Sequence, residues 1–257
     1  MIRNRALVKP AIRQAEICDL LERKGEASVE AMAKRFETSA ETIRRDLSLL
    51  ADSGKLQKVH GGARRILRRE EGGFKERLAR NALAKRLIAE KVVSLVSPGQ
   101  TLFMDTGSTT LICAEALAKV KNLTVITNST RIATAISEGS GKSGVFLLGG
   151  QFRPDNAQTI GPTTLREIAQ FRADHAILTI GALNEGGAFD YSDDEAHVAR
   201  AMLAASAQIN VVVDHSKIGQ CATHRVCALT SINRLILDRP PPQALGDTII
   251  KAGVELR

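Results

Sequence analysis

Glu37-Thr38-Ser39-Ala40-Glu41-Thr42-Ile43-Arg44-Arg45-Asp46-Leu47-Ser48-Leu49-Leu50 decides how the amino-terminal part of the chain is read. Ile43, Leu47 and Leu50 recur at steps of four and three, which places them on one face of a helix. Thr42, Arg44 and Arg45 fall off that stripe. Thr38 and Glu41 have the S/T-x-x-E spacing of a capping box and predict the start of the helix, and Gly54 predicts its end. Upstream, Ile12, Ile17, Leu20 and Leu21 also recur at helical spacing, with Gly25 as the stop. Ser28 can cap a short helix over 29–36, with Val29, Met32, Ala33 and Phe36 on one face. Three short helices with a tight turn between the second and third form a helix-turn-helix. Residues 56–66 then read as a basic hairpin turning near Gly61-Gly62, which is the wing of a winged helix-turn-helix.

In such a unit the third helix presents its first residues to the major groove of duplex DNA. Ser39, Thr42, Arg44 and Arg45 occupy those positions, and a guanidinium fork matches both guanine edges and phosphates. Lys58, His60, Arg64 and Arg65 of the wing suit phosphate contacts. Charge points the same way. Residues 1–80 carry 19 Lys and Arg against 12 Asp and Glu, while the other 177 residues are almost neutral, although the whole chain is at +8. A basic segment beside a neutral one is the electrostatic footprint of polyanion binding. A generic three-helix bundle with a solvated basic face has the same spacing and charge.

A longer pattern separates the two. Arg13-x3-Ile17-x3-Leu21, then seventeen residues, then Ser39-x2-Thr42-Ile43-Arg44-Arg45-Asp46-Leu47 resembles the DNA-binding signature of the DeoR family. Val59-His60-Gly61-Gly62-Ala63 in the wing resembles the same family. The resemblance implies a sequence-specific transcriptional repressor that binds a double-stranded operator.

The segment 64–73 is charge-rich and ends in Gly72-Gly73, which marks a boundary. The expected division is a DNA-binding domain over 1–66, a linker and the start of a long helix over 67–84, and a second domain over 85–257. Periodicity predicts one helix over 74–96, with Leu78, Leu83, Leu87, Ile88 and Val92 as apolar positions. Beyond it, strands are expected at 101–104, 123–127, 145–148, 176–180, 211–214 and 235–237. Helices are expected between most of them, at 110–119, 131–137, 163–170 and 194–207. This alternation predicts an α/β domain with a doubly wound, largely parallel sheet.

Ligands of such sheets bind outside the carboxyl ends of the strands. Small and polar residues gather there: Asp105, Gly107, Ser108, Thr109 and Thr110 after the first strand, Asn128 after the second, and Gly149 and Gly150 after the third. Lys217 follows the fifth strand. The loop 107–110 opens a helix, where free N–H groups favour an anion. It lacks the glycine patterns of nucleotide and dinucleotide sites, so a small phosphoester is expected, with no cofactor. Lys217 can pair with its phosphate and Asp105 can accept hydrogen bonds from its hydroxyls.

This half also resembles the DeoR-family sensor domain, which is similar in fold to ribose-5-phosphate isomerases. The likeness runs through Asp105-x-Gly107-x-Thr109-Thr110, Thr127-Asn128, Gly149-Gly150, Gly161 and the run from Asp214 to Gly219. Phe189-Asp190-Tyr191 and Pro240-Pro241-Pro242 resemble the subgroup that responds to glycerol 3-phosphate, although Ile180-Gly181-Ala182-Leu183-Asn184 departs from its pattern. The resemblance implies release from DNA by a small phosphorylated sugar or polyol, with glycerol 3-phosphate the first choice. A phosphosugar isomerase with an accessory DNA-binding domain is a second reading, with Asp105, Asp190 and Asp194 as candidate bases. An activator built from the same parts is a third.

The remaining features are plain. Cys18, Cys113, Cys221 and Cys227 show no metal-ligand spacing and read as reduced thiols, so no metal is expected. No apolar run approaches the length of a membrane span and no signal-peptide core follows the basic first residues, which predicts a cytoplasmic protein without membrane contact. A homo-oligomer, dimer or tetramer, is expected because paired half-sites call for paired readers.

Overall fold

A computed structural model describes residues 10–52, 56–64 and 72–257. The chain divides into two compact units at residues 67 and 68.

The amino-terminal unit is a winged helix-turn-helix. Helix α1 (Pro10–Lys24) leads through strand β1 (Glu26–Ser28) into α2 (Val29–Arg35) and α3 (Ala40–Asp52), followed by β2 (Gln57–Val59) and β3 (Gly62–Arg64). The three strands form one antiparallel sheet in the order β1-β3-β2. Ile17, Leu20, Leu21, Val29, Met32, Ile43, Leu47 and Leu50 close the core, with Ala33 and Phe36 packed at its edge. Ile12 does not join them, being 52% exposed near the start of α1. Ser28 caps α2 by accepting from Ala31 N at 3.1 Å.

Three local expectations shift here. The cap of α3 is Ser39, whose Oγ accepts from Thr42 N at 3.1 Å and whose carbonyl accepts from Ile43 N. The Thr38–Glu41 box is therefore displaced by one residue, and Glu41 turns to Arg44 instead. The wing turns at His60-Gly61, because Gly61 adopts φ +73° while Gly62 already pairs with Val59 and Ser28. A side chain at Gly62 would collide with the Ala27 carbonyl, so this glycine is there for close approach.

The larger unit begins with α4 (Phe74–Ala79) and α5 (Ala82–Leu95). The expected single helix over 74–96 is thus broken at Arg80-Asn81. Asn81 takes the left-handed conformation at φ 54°, which asparagine tolerates better than most residues. Its side chain then reaches Asp214 Oδ1 at 3.0 Å, a bond that a straight helix would forgo.

The chain continues through β4 (Thr101–Met104), α6 (Ser108–Leu117), β5 (Thr124–Thr127), α7 (Thr130–Ser137) and β6 (Gly144–Leu147). A small hairpin, β7 (Gln151–Arg153) and β8 (Gln158–Ile160), precedes α8 (Pro162–Ile168) and the long β9 (Ala173–Thr179). Next come β10 (Ala182–Asn184), β11 (Gly187–Asp190), α9 (Asp193–Ala204), β12 (Ser206–Val213) and β13 (His224–Cys227). The chain ends with β14 (Arg234–Leu237), α10 (Gln243–Lys251) and β15 (Glu255–Leu256). Seven strands form a parallel sheet in the order β15-β14-β12-β9-β4-β5-β6. The hairpin β7–β8, a second antiparallel sheet in the order β10-β11-β13, and the closing elements α10 and β15 had no counterpart in the sequence reading. Strand β12 also begins five residues before the expected Val211.

Alternation along the central strands sorts the core into two layers. Leu102, Met104, Val125, Ile177 and Val212 face the layer that holds α5, α6 and α7. Phe103, Ile126, Leu178, Val211 and Val213 face the layer that holds α9 and α10. The chain runs outward from β4 to β6 and returns to β9 on the other side of β4. The strand order therefore reverses between β4 and β9, and a doubly wound sheet opens its ligand crevice at such a point. No described helix is long and apolar enough to cross a membrane.

Candidate nucleic-acid interface and effector site

The amino-terminal surface is built on a buried ion pair. Arg13 Nε of α1 donates to Asp46 Oδ2 of α3 at 2.6 Å, and Gln14 Nε2 donates to Asp46 Oδ1 at 2.8 Å. Arg13 and Asp46 are 7% and 3% exposed, so this pair sets α3 against α1 from inside. Both residues belong to the pattern quoted from the amino-terminal part of the sequence, and their pairing is its physical role.

On the outer side of α3, Arg44 and Arg45 stand exposed one turn in from the cap. Arg44 is 3.7 Å from Glu41, a solvent-exposed pair that is worth little and easily exchanged for a phosphate. Thr42 is half-buried, with its Oγ1 2.9 Å from Ser39 Oγ. In the wing, Lys58 Nζ donates to Ser48 Oγ at 3.0 Å, which ties β2 to α3. Arg64 donates across the strand pair to Gln57 Oε1 at 2.9 Å, and His60 is exposed at the turn. Arg65 lies outside the described residues. The described residues among those expected thus lie on α3 and its cap and on the wing β2–β3, with Arg44, Arg45, Lys58 and Arg64 exposed.

In the larger unit, Asp105 follows β4 and bridges the reversal point. Both of its carboxylate oxygens accept from Thr179 N at 3.0 Å, at the end of β9. Around it lies a small cavity of about 10 Å³, partly open to solvent and lined by Asp105, Thr106, Asn128, Gln158, Asp190, Glu195 and Val198. Asn128 is held on three sides: its Oδ1 accepts from Thr106 Oγ1, and its Nδ2 donates to Gln158 Oε1 and the Thr159 carbonyl. Asp190 Oδ1 accepts from Tyr191 N and Ser192 N. Gln158 Nε2 donates to Glu195 Oε1 at 2.5 Å.

The neighbouring loop closes on α6. Gly107 is the N-cap and has no side chain to occupy the first-turn N–H groups. A Cβ there would lie 2.2 Å from Thr179 Cγ2, so contact with β9 rather than backbone freedom requires the glycine. Thr110 turns inward and donates to the Asp105 and Gly107 carbonyls, so its hydroxyl shapes the loop. Thr109 is buried, and Ser108 Oγ accepts from Lys85 Nζ at 3.0 Å. Lys85 had no place in the sequence reading. It is 3% exposed on α5, and its charge sits against the amino end of α6. A lysine three residues before Ile88 and seven before Val92, on their buried face, was the available signal.

Other expected residues lie elsewhere. Gly149 donates its N–H to Glu167 Oε2 at 2.6 Å, and its carbonyl accepts from Thr164, so Gly149 and Gly150 serve the packing of α8. Lys217 lies on a 3-10 turn after β12, and its charge bears on Asp214. Burial raises the Asp214 carboxyl, but hydrogen bonds from Ser216 and Asn81 and the Lys217 charge outweigh it and leave the group below its usual range. Lys217, the glycine pair and the loop residues Gly107, Ser108, Thr109 and Thr110 do not line the cavity, although the loop follows directly on Asp105 and Thr106, which do. All four cysteines are free thiols, and burial pushes Cys227 up to about 11.

Burial pushes the Asp105 carboxyl well above the ordinary carboxylate range, against the bond from Thr179 and with the negative charges of Asp190 and Glu195 adding to the rise. A carboxyl raised by folding contributes stability that is complete below its unfolded pKa and is lost as pH rises through its folded pKa. Asp105→Asn should therefore raise the melting temperature of the larger unit at about pH 8, and the gain should shrink towards about pH 4. Thermal unfolding of parent and variant at both values measures this. An equal effect at the two pH values would contradict it.

Comparison with known proteins follows the same two-part division. Residues 13–69 match the DeoR-like helix-turn-helix domain, and residues 80–239 match the DeoR C terminal sensor domain. The chain is 32% identical over 252 residues to the glycerol-3-phosphate regulon repressor of Escherichia coli K12, covering 97% of this chain and 99% of that one. It is 30% identical over 245 residues to the HTH-type transcriptional repressor CsqR of the same organism, covering 95% and 94%. Among solved structures, ribose 5-phosphate isomerase A of Methanocaldococcus jannaschii aligns at 16% identity with a TM-score of 0.40, over 54% of this chain and 55% of that one.

Proposed function

The chain belongs to the DeoR family of transcription regulators, and from that premise we propose that it is a repressor, not an enzyme, that leaves its operator when a small phosphorylated sugar or polyol binds. The observation that carries the DNA half is the exposed Arg44–Arg45 pair on an α3 oriented from inside by Arg13 and Asp46. In this reading Arg44 and Arg45 reach base edges, with Ser39 and Thr42 beside them. Lys58, His60, Arg64 and Arg65 hold phosphates. Two copies of the chain read paired half-sites.

The effector half rests on the cavity at the sheet reversal. The phosphate is assigned to the amino end of α6, at Gly107, Ser108, Thr109 and Thr110, where Lys85 supports it. The hydroxyls are assigned to Asp105, Asn128 and Asp190, with Gln158 and Glu195 as additions that the fold brings in. Lys217 does not line the cavity and would reach the ligand only by a movement of its turn after β12, while Gly149 and Gly150 act through the packing of α8. Glycerol 3-phosphate is the first choice, supported by relatives named for its regulon.

The test is a binding titration on operator DNA. Arg44→Ala and Arg45→Ala should each cost about 1–3 kcal/mol and relax specificity, a loss of roughly 5- to 150-fold. Operator affinity equal to the parent in both variants would remove α3 from the interface. The wing behaves differently. Replacing Lys58, Arg64 and Arg65 together should weaken binding to all sequences alike, and should flatten the dependence of log affinity on log salt by roughly one unit per lost contact. An unchanged slope would remove the wing. Glycerol 3-phosphate should release the operator complex, and a panel of phosphorylated sugars and polyols that leaves the complex intact would end the effector assignment.

A further inference from the structure

Helix α4 is the first described element after residues 65–71, and at six residues it is too short to stand by itself. It is nevertheless held at two places, one leading to the wall of the candidate effector cavity and one to the neighbouring loop at the amino end of α6, and it is pinned by its first residue. Phe74 is 6% exposed, with the Arg131 guanidinium 4.0 Å from its ring centre and that of Arg77 at 5.5 Å. Arg77 Nη2 donates to Asn156 Oδ1 at 2.7 Å, and Asn156 Nδ2 donates to Glu195 Oε1 at 2.6 Å. Glu195 lines the cavity, so one side-chain relay joins α4 to the cavity wall. The second connection uses the main chain. Lys85 Nζ donates to the Arg77 carbonyl and to Ser108 Oγ at the amino end of α6.

We infer that α4 is the output element of this cavity: a ligand that engages Glu195 and the Ser108 loop draws away the groups that hold Arg77, and so unlatches α4 from the sensor unit. This rests on the reading that the cavity holds the effector. The chemistry is competition for the same donors and acceptors. Glu195 Oε1 already accepts from Asn156 and Gln158, and a ligand hydroxyl donating to that carboxylate takes the place of one of them. An anion on the loop attracts the Lys85 ammonium, which otherwise holds the Arg77 carbonyl. Both events loosen one residue, Arg77, from two directions. Helix α4 is the described element of the larger unit that lies nearest in sequence to the amino-terminal unit, so it is the place where a change of state can be passed along the chain. A ligand acts on DNA affinity only through such a difference between two states.

Hydrogen exchange on the full chain tests the latch. Glu195→Ala, with no ligand present, should raise exchange at amides 77–80 about tenfold while β9 keeps the parent rate. Asn156→Ala should do the same. Parent rates at 77–80 in both variants overturn the latch, and so does an equal rise in β9, which would mean general loosening. A second arm adds glycerol 3-phosphate. In the parent it should speed exchange at 77–80; in Arg77→Ala exchange there should be fast already and should not change, although calorimetry still detects binding. Binding without any change at 77–80 in the parent also overturns the latch. Absence of binding to the parent counts against glycerol 3-phosphate as effector, while the Glu195→Ala and Asn156→Ala arms still decide the latch.

Discussion

Asp46→Ala should destabilise the amino-terminal unit by about 3–5 kcal/mol, most of what a small domain possesses. Arg13 lies inside, and its Nε donates to Asp46 Oδ2 at 2.6 Å while Gln14 occupies the other oxygen. Truncating the carboxylate leaves a guanidinium buried without the charge that compensates it, and desolvation of an ion is far costlier than the loss of a neutral contact. Denaturant unfolding followed by circular dichroism should show the transition of the amino-terminal unit at much lower denaturant, with the larger unit unmoved. A double replacement, Arg13→Met with Asp46→Leu, should recover much of the loss, because apolar residues of similar size substitute well for a buried pair. A loss below about 1 kcal/mol in the single variant would show that the pair is not what orients α3.

This pair also shows what a sequence can and cannot convey. The inward faces of α1 to α3 were legible, because Ile17, Leu21, Ile43, Leu47 and Leu50 repeat at the period of a helix. Asp46 sits on the same face as Ile43 and Leu50, and a charge there is understood only when Arg13, 33 residues away, is seen to meet it. Caps are single local bonds, and Thr38 and Ser39 offer the same hydroxyl one residue apart, so only geometry chose Ser39. In the larger unit the buried strands read as short apolar runs and were found. Strands β7, β8, β10, β11 and β13, of three or four residues each, carry no period long enough to register. The candidate site divides along the same line. Asp105 and Asn128 follow strands that were found, so topology announced them, whereas Asp190 ends the unregistered β11 and was marked only by the family resemblance. Gln158, Glu195 and Lys85 arrive through a hairpin and two helices, and nothing adjacent in sequence marks them. Helical periodicity over 74–96 concealed the turn at Asn81, whose cost is offset by a bond to Asp214.

Phe103→Ala should lower the stability of the larger unit by about 3–5 kcal/mol and leave the transition of the amino-terminal unit where it was. Phe103 is fully buried on β4, opposite Ile126 on one side and Ala176 on the other. Phe103 is the one large apolar side chain that β4 gives to that layer of the core, since Leu102 and Met104 point to the opposite one. Neighbours in a close-packed interior relax only partly, so the cavity left by the ring adds to the lost burial. The consequence reaches the site because Asp105 follows only two residues later and its bond to Thr179 depends on β4 and β9 keeping register. A ligand present at 100 times its dissociation constant stabilises the parent unit by about 2.7 kcal/mol, and the variant should show a smaller gain at the same concentration. Unfolding curves with and without glycerol 3-phosphate measure both effects together. Stability lost with the ligand gain intact would mean that the site is held by its loops alone; a transition at the parent position would mean that the Phe103 layer does not support the sheet.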